Sequence, residues 1–369
     1  NIYQDVDKDA SRGSEEEPSP NGRIVELLKC TTNEAGEVEN CDEVYQTITL
    51  GEGKLNQNGH YEFDNLPAGT YKVRVKPLDD QEINTEAGKN PENNGTWESG
   101  TQVIQGISPA QNGGQEEQIR DINFGYWVAS PSVTVAKSVN DPEDKRTVDG
   151  EATFTIEGEN DGDVPLTEVK LDDQWVKDTE SEKLKNQLTC VITNSEGTAY
   201  VGEDLKAKGD LLSEQGANLA VGDKYSCTVT WSKVTQEDID LEAILKNTAS
   251  ITGKYKSKVV TPDPSSVIVP IVEPGPALEL TKQVRPADQG TDALSDRVVR
   301  DNKEAAAFVI TGRNTGNVTL HNVTLEDSKL SNEAPVTLDN CVALDAEAGA
   351  EDAPKLNVTD GKLTLAPGA

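Results

Sequence analysis

The sequence predicts an all-β protein, a rod of tandem β-sandwich modules, and three observations lead to that prediction. Short stretches such as residues 71–76 and 225–231 alternate apolar and polar side chains with a period of two, the period of half-buried strands. Gly, Asn and Asp turns separate these stretches, and prolines interrupt the chain at 129–131 and 261–276. Because many short strands occur without long helical periods, stacked sheets are the expected architecture.

The composition limits the classes of partner. The chain has 369 residues, enough for two or three domains. Its 66 acidic residues outnumber its 34 basic ones, which gives a net charge of −32. Such a surface repels nucleic acid and anionic membranes, so neither is an expected partner. No apolar run reaches the length of a membrane span, and no membrane insertion is expected.

An internal repeat divides the chain into modules. Residues 154–166 (FTIEGENDGDVPL) match residues 308–320 (FVITGRNTGNVTL) at an offset of 154, and the match continues from 169–173 (VKLDD) to 323–327 (VTLED). Modules that each bury their own core propagate as a rod. The predicted modules are residues 1–130, residues 131–273, and residues 274–369, the last being a copy that ends before its closing strands.

The first module resembles a known family on three stretches. These are residues 5–9 (DVDKD), 58–73 (NGHYEFDNLPAGTYKV) and 121–126 (DINFGY). They resemble the B-type domains of serine-aspartate-repeat (Sdr) surface proteins, which are prealbumin-like β-sandwiches. The resemblance implies a secreted, cell wall-attached protein of a Gram-positive bacterium, although the sequence shows no sortase motif.

The two copies resemble another class of module. They are similar to Ig-like repeat domains of actinobacterial surface proteins on residues 160–162 (NDG), 234–240 (VTQEDID) and 247–249 (NTA). The resemblance implies a cell-surface location for these modules as well. The chain begins on a strand-like segment without a leader, so we expect it to be a piece of a longer protein.

An acidic loop near the start of the chain has the spacing of a calcium-binding loop. The candidate ligands take positions one, three, five, seven and twelve of an EF-hand-like loop: Asp5, Asp7, Asp9, Ser11 and Glu16. Crowded carboxylates repel one another unless a divalent cation neutralises them, so Ca²⁺ is the expected cofactor. Ala10 at position six and Gly13 at position nine depart from the pattern. The alternative is an acidic, solvated surface loop.

A lysine shares the inward face of the first strand in each copy. The inward-facing residues are Val133, Val135, Lys137 and Val139 in the first copy and Leu278, Leu280, Lys282 and Val284 in the second. An unpaired buried ammonium is very costly, so each lysine must be neutral, paired or covalently consumed. The same parity directs Asp173 and Asp327 inward near the middle of each copy, and Asn247 inward on the last strand of the first.

Lys137, Asp173 and Asn247 are the set that an intramolecular isopeptide bond requires. Burial leaves the lysine neutral, so that it can attack the carboxamide, and keeps the aspartic acid protonated to polarise the carbonyl and carry protons. This set resembles the self-crosslinks of Gram-positive pilins and collagen-binding adhesins. Lys282 and Asp327 form an incomplete copy. The alternative is a buried Lys–Asp ion pair beside a hydrogen-bonded Asn247.

The cysteines predict disulfides and therefore an oxidising compartment. Cys30 and Cys41 flank a hairpin turn at residues 33–36, and closing so short a loop contributes about 2–3 kcal/mol. Cys190 and Cys227 lie on separate strands of the middle module. Cys341 corresponds to Cys190, and the partner of Cys341 is expected beyond residue 369.

The sequence therefore favours a non-catalytic protein. Its two histidines, His60 and His321, are far apart, so neither a Ser-His-Asp arrangement nor a zinc site can be assembled from them. The leading interpretation is the stalk of an extracellular surface adhesin, which contacts adjacent modules of the same protein. One alternative is direct binding of a host protein or glycan by the first module, for which Trp97 and Trp127 are the available tryptophans. The other is a stalk for an enzyme domain outside this sequence.

Overall fold

The computed structural model confirms the predicted fold class, because the chain consists almost entirely of β-strands and turns. Twenty-one strands and two short helices occur among the residues that the structure describes. The described residues are 1–9, 14–52, 58–85, 97–99, 102–104, 122–175, 187–232, 234–285, 307–327 and 362–369. Ser11 and Cys341 lie outside them.

The first eight strands form two sheets. Their bounds are β1 Ile2–Gln4, β2 Ile24–Thr32, β3 Val38–Thr49, β4 Gly69–Val75, β5 Glu82–Asn84, β6 Trp97–Glu98, β7 Gln102–Ile104 and β8 Phe124–Val128. One sheet has the order β1-β8-β5, and the other has the order β3-β2-β4-β6, with β7 also pairing with β4. On β4 the predicted alternation is present, since Tyr71, Val73 and Val75 are buried and Lys72 and Arg74 are half-buried.

The middle part of the chain forms a sandwich of two larger sheets. Its strands are β9 Ala136–Val139, β10 Glu151–Glu159, β11 Leu166–Trp175, β12 Thr189–Thr193, β13 Ala217–Leu219, β14 Lys224–Ser232, β15 Leu245–Tyr255, β16 Lys258–Val260 and β17 Ser265–Val269. The sheets have the orders β12-β14-β10-β9 and β13-β11-β15-β16, with β17 also pairing with β15. Two short helices, α1 Gly202–Lys208 and α2 Gln236–Asp240, connect strands.

The last four strands form two antiparallel pairs. Their bounds are β18 Leu278–Arg285, β19 Ala307–Asn314, β20 Leu320–Val323 and β21 Leu363–Leu365. Strand β18 pairs with β19, and β20 pairs with β21.

These pairs repeat the strand register of the middle sandwich. Lys137 lies opposite Ile156 in the β9–β10 pair, and Lys282 lies opposite Ile310 in the β18–β19 pair. Leu166 lies opposite Leu219, and its counterpart, Leu320, lies opposite Leu365. The residues that match in sequence therefore also match in their strand partners.

A buried asparagine closes the same turn in both copies. The Asn160 side-chain amide donates to the main-chain oxygens of Val164 and Leu219, each at 3.0 Å. Asn314 donates in the same way to Val318 at 2.8 Å and Leu365 at 3.0 Å. Both asparagines are fully buried, so these bonds satisfy carbonyl groups that water does not reach.

The segments that connect the modules are held by one repeated contact. The Ser130 main-chain N–H donates to Asp163 Oδ1 at 2.7 Å, and the Gly275 N–H donates to Asn317 Oδ1 at 2.6 Å. In return, the Asp163 N–H donates to the Ser130 carbonyl at 3.3 Å. The Asn317 N–H likewise donates to the Gly275 carbonyl at 3.2 Å. Each connecting segment therefore closes a two-way hydrogen-bonded ring with the same loop of the module that follows it.

Further contacts join the first module to the second. The Lys8 ammonium lies 3.4 Å from the centre of the Trp127 ring and 3.3 Å from Asp163 Oδ2. The Ser257 N–H donates to Asp80 Oδ2 at 3.2 Å, and Lys256 Nζ donates to the Asp80 carbonyl at 2.7 Å. Hydrogen bonds from Ser257 and Gln81 lower the pKa of Asp80 to about 2.

Acidification should weaken this contact at low pH. The folded-state pKa of Asp80 lies below its ordinary value of 3.8, so the carboxylate stabilises the folded state above that value and loses this contribution as pH falls toward about 2. Asp80→Asn should reduce the pH dependence of protection at the Ser257 amide, measured by hydrogen exchange between about pH 5 and pH 2.5. Asp79→Asn is the control, because Asp79 accepts only a local bond from Gln81. Equal slopes for Asp80→Asn and the unmodified protein would contradict the prediction.

Both expected disulfides are present. Cys30 and Cys41 are bonded with their Cα atoms 4.0 Å apart, and so are Cys190 and Cys227. The turn between the first pair has Gly36 at a φ of 78°, the left-handed conformation that glycine adopts without steric cost. Each bond links neighbouring antiparallel strands.

Candidate functional site: a buried lysine–aspartate–asparagine cluster

The strand pattern of β9 places Lys137 inside the sandwich. Val133 and Val139 are buried on the same face, while Ala136 and Ser138 are exposed on the other. The Lys137 side chain has no exposed area, as the sequence parity predicted. Strand β9 belongs to one sheet of the sandwich, so the lysine extends from that sheet toward the other.

Asp173 and Asn247 lie on neighbouring strands of the opposite sheet. In the β11–β15 pair, Asp173 is opposite Ala249 and Asn247 is opposite Trp175. Lys137 Nζ lies 2.6 Å from Asp173 Oδ1, and the Asp173 side chain is 1% exposed. Asn247 is fully buried, and its amide donates to the Gln174 carbonyl at 3.3 Å. The structure thus brings together the three residues predicted from strand parity.

An aromatic cluster encloses the lysine. The Lys137 ammonium lies 4.9 Å from the centre of the Phe154 ring. Phe154 packs against Trp175 at 5.5 Å between ring centres, and Trp175 packs against Trp231 at 4.6 Å. All three rings are buried, so the side chains around the site are mainly apolar and exclude water. No sequence motif marks these rings as part of the site, although their inward parity on β10, β11 and β14 could have identified them.

Burial acts on the two charged groups in opposite directions. Desolvation lowers the pKa of Lys137, although the neighbouring Asp173 opposes this shift. Desolvation also raises the pKa of Asp173, against the opposing effects of Lys137 and the Asn247 amide. Both shifts favour the neutral pair, which consists of an amine and a carboxylic acid. A neutral amine is nucleophilic, and a neutral carboxylic acid can donate a proton.

Two buried oxygens at the site have no hydrogen-bond partner among the described residues. They are Asp173 Oδ2 and Asn247 Oδ1. A buried polar atom without a partner costs about 1–3 kcal/mol. A proton on Asp173 would give the carboxyl group a donor to offer to the carboxamide oxygen. The same contact would polarise the Asn247 carbonyl toward attack by the amine.

A serine on β17 holds the lysine strand in place. The Lys137 main-chain N–H donates to Ser265 Oγ at 2.9 Å. Ser265 lies opposite Ala249 on β15, two residues from Asn247. This hydrogen bond therefore connects the strand that carries the amine with the sheet that carries the carboxamide. This contact could not be predicted from the sequence, because it joins residues separated by 128 positions.

The second copy reproduces half of the site. Lys282 Nζ lies 2.6 Å from Asp327 Oδ1 and 4.6 Å from the centre of the Phe308 ring. Its environment is more open, since the side chains of Lys282 and Asp327 are 35% and 11% exposed. Leu278 and Leu280, which share the predicted inward face, are 51% and 59% exposed. The lysine–aspartate pairing therefore repeats, but the enclosure of the first copy does not.

The acidic loop places three of its five predicted ligands together. Carboxylate oxygens of Asp5, Asp7 and Asp9 lie within 4.8 Å of one another, and Asp5 is buried. Glu16 is half-buried, and it is not among the residues whose carboxylate oxygens lie within this distance of one another. Desolvation and the neighbouring charges of Asp9 and Asp5 raise the pKa of Asp7, despite an opposing hydrogen bond from the Asp9 main chain. Converging hard oxygen donors of this kind suit Ca²⁺.

The tryptophans of the first module do not form an exposed binding patch. Trp97 is 1% exposed and stacks on Tyr126 at 5.8 Å between ring centres. Trp127 is 9% exposed and belongs to the core that continues into the middle sandwich. An exposed aromatic patch built on these two residues was the feature that would have favoured direct ligand binding.

The fold and the site together define an all-β chain of sandwich modules with a buried lysine–aspartate–asparagine cluster. No protein-family model matches the chain, and no curated protein matches it. None of the described helices is long and apolar enough to cross a membrane.

Similar solved structures are Gram-positive surface proteins. The full-length major pilin SpaD of Corynebacterium diphtheriae is 16% identical with a TM-score of 0.24, over 74% of this chain and 65% of the pilin. The pilus protein RrgB of Streptococcus pneumoniae is 10% identical with a TM-score of 0.28, over 85% of this chain and 59% of RrgB. The adhesin ACE of Enterococcus faecalis is 12% identical with a TM-score of 0.23, over 72% of this chain and 88% of ACE. This chain spans less than two thirds of the length of the two pilins, and likenesses this weak do not assign its function.

Proposed function

We propose that this chain is a structural stalk of a Gram-positive cell-surface adhesin, and that its middle module is locked by an isopeptide bond between Lys137 and Asn247. One observation carries the proposal: the buried Lys137 side chain of one sheet pairs with Asp173 of the opposite sheet, where the fully buried Asn247 lies on the neighbouring strand. Crosslinking the sheets of a module increases its resistance to unfolding and supplies no catalysis toward an external substrate. This is the property required of a stalk.

The proposed reaction balances without an external reagent. The neutral Lys137 amine adds to the Asn247 side-chain carbonyl carbon, forming a C–N bond. The bond from that carbon to the amide nitrogen breaks, and the nitrogen leaves as ammonia. Asp173, protonated at the start, polarises the carbonyl oxygen and transfers the amine proton to the leaving nitrogen. The aromatic rings exclude water, which would compete with the amine for the carboxamide.

The connections between modules support a stalk. Each of the two connecting segments is hydrogen-bonded into the next module, and Trp127 of the first module packs in the core of the second. Disulfides suit an extracellular location. We place the protein outside the cell, attached to the wall, with adjacent modules as its regular partners and a host protein or glycan as the target of the whole adhesin.

Peptide mapping tests the crosslink. Proteolysis should yield one branched peptide in which the segment containing Lys137 is joined to the segment containing Asn247. The fragment spectrum should locate the link at these two side chains. Recovery of both segments only as separate, unmodified peptides would refute the proposed bond.

We further propose that the loop containing Asp5, Asp7 and Asp9 binds Ca²⁺, with Ser11 and Glu16 as additional ligands. A cation would neutralise the mutual repulsion of three carboxylates that converge within 4.8 Å. The buried Asp5 lies beside β8, because its N–H donates to the Tyr126 carbonyl at 2.7 Å. A cation bound there would therefore brace the start of the chain against the sheet.

Calcium should raise the melting temperature of the first module, and EDTA should lower it. A ligand that binds only the folded state stabilises it by about 2.7 kcal/mol at a hundredfold excess over Kd. Asp7→Asn should reduce this response, since Asp7 is an exposed member of the cluster. Asp64→Asn, at an exposed position outside the cluster, is the control. A melting temperature that is independent of calcium would exclude the site.

A further inference from the structure

The proposed crosslink leaves one part of the middle module in the path of a pulling force. Tension applied along the chain would enter through Lys137 and leave through Asn247, so residues 138–246 would be bypassed. Residues 248–272, which include β16 and β17, would still connect Asn247 to the next module. Strand pairing of β15, β16 and β17 holds this segment, but without a further fastening at its end the strands could peel away one after another while the crosslink remained intact. This inference rests on the proposed function, because it requires the crosslink between Lys137 and Asn247.

A buried arginine lies where this segment leaves the module. Arg146 is 6% exposed, and its guanidinium donates to four main-chain carbonyl oxygens of the loop around it. Those of Asp141 and Glu151 lie at 2.6 Å and 3.2 Å, and the other two belong to Asn140 and Asp144. An arginine that donates to several carbonyl groups fixes the shape of a loop that has no regular secondary structure.

The main chain of the same residue holds residues 270–272, the exit segment by which the chain leaves the module. The Arg146 N–H donates to the Pro270 carbonyl at 2.9 Å, and the Val272 N–H donates to the Arg146 carbonyl at 3.0 Å. Arg146 and Ile271 thereby form a parallel bridge. Val269, just before it, is 1% exposed in the core of the sandwich. The exit segment is thus attached both by hydrogen bonds and by a buried side chain.

The loop that holds the exit segment lies within the bypassed region. The Thr153 N–H, on β10, donates to Asn140 Oδ1 at 2.7 Å, and the Asp149 N–H donates to the Val234 carbonyl at 2.8 Å. Both anchors lie between Lys137 and Asn247. Tension along the crosslinked chain would therefore not unravel the anchors before the exit segment is released.

We propose that Arg146 is a clamp that resists tension and fastens residues 270–272 to the crosslinked part of the module. The guanidinium keeps the loop folded, and the loop main chain holds the exit strand. Together with the Lys137–Asn247 bond, the clamp leaves little of the middle module free to extend between its neighbours.

Single-molecule pulling on the whole chain tests the clamp. The unmodified middle module should show no extension at the forces that unfold modules without a crosslink. Arg146→Ala should add an early event that releases residues 248–272, whose extended length is about 80–90 Å at about 3.3–3.6 Å per residue, less the short folded distance between the ends of the segment. Lys145→Ala is the matched control, because the adjacent Lys145 is exposed and forms only a surface ion pair with Glu273. It should behave like the unmodified protein.

Three outcomes would overturn the clamp: no early event in Arg146→Ala, the same event in the unmodified protein, or the same event in Lys145→Ala. A first extension of about 350 Å in the unmodified protein would instead show that the crosslink is absent, because the part of the module outside the loop closed by the Cys190–Cys227 disulfide, about 105 residues at about 3.3–3.6 Å each, would unravel. In that case, hydrogen exchange tests the clamp independently of the crosslink. In Arg146→Ala, the main-chain amides of residues 146 and 272 should lose their protection from hydrogen exchange, while the amides of β10 should keep theirs. If these two amides exchange equally fast in both proteins, the clamp is refuted.

Discussion

The intact protein should weigh about 17 Da less than its sequence under reducing conditions, because crosslinking expels one ammonia. Reduction removes the contribution of the disulfides, so the deficit reports the isopeptide bond alone. The two buried, mutually neutralising groups and the enclosed carboxamide require no enzyme or cofactor for the reaction. The deficit should therefore be present in essentially every molecule that has folded.

Three variants should abolish this deficit. Lys137→Met removes the nucleophile, Asn247→Ala removes the carboxamide, and Asp173→Ala removes the proton carrier. Two controls change neighbours on the opposite faces of the same strands, Asp172→Ala and Lys246→Ala, and both should keep the deficit. If the unmodified protein has its full sequence mass, the buried cluster is an ion pair beside a hydrogen-bonded asparagine. If Asp173→Ala retains the deficit, Asp173 is not needed for proton transfer.

Strand parity accounts for most of what could be predicted about this site. The alternation along β9, β11 and β15 is regular, so knowing that Val139 and Leu245 are apolar is enough to direct Lys137 and Asn247 inward. The sequence repeat added a second lysine–aspartate pair at matching positions, and the structure pairs Lys282 with Asp327. The period of two and the internal repeat can be read from the sequence alone. They therefore predict the direction of these side chains without knowledge of the tertiary fold.

The remaining features depend on which strands meet, and parity does not determine this. Ser265 contacts Lys137, and Arg146 bridges to Ile271, across more than a hundred residues of sequence. Parity also failed to predict the exposure of Leu280 on β18, because a strand face is buried only if another layer covers it. An inward-facing pattern indicates a direction, and the neighbouring elements determine the degree of burial.

Asp173→Ala should also lower the free energy of unfolding of the middle module more than any surface change. The substitution prevents the crosslink and leaves the Lys137 amino group, whose side chain has no exposed area, without the carboxyl group that it contacts. Leaving a buried polar group without its partner costs about 1–3 kcal/mol, and more when the group is charged, whereas replacing both partners by apolar residues can be nearly neutral. The double variant Lys137→Met, Asp173→Ala should therefore be more stable than Asp173→Ala by roughly that amount, because these two proteins differ only at residue 137.

Denaturant unfolding followed by tryptophan fluorescence measures these differences, because Trp175 and Trp231 are buried beside the site. The unmodified protein should be the most stable, the double variant intermediate, and Asp173→Ala the least stable. The first interval then measures mainly the covalent bond, and the second measures the lysine nitrogen left without a partner. Asp172→Ala, on the other face of β11, should stay close to the unmodified protein. A double variant no more stable than Asp173→Ala would show that the unpartnered lysine is not the source of the loss, since both variants lack the crosslink and the carboxyl group and differ only at residue 137.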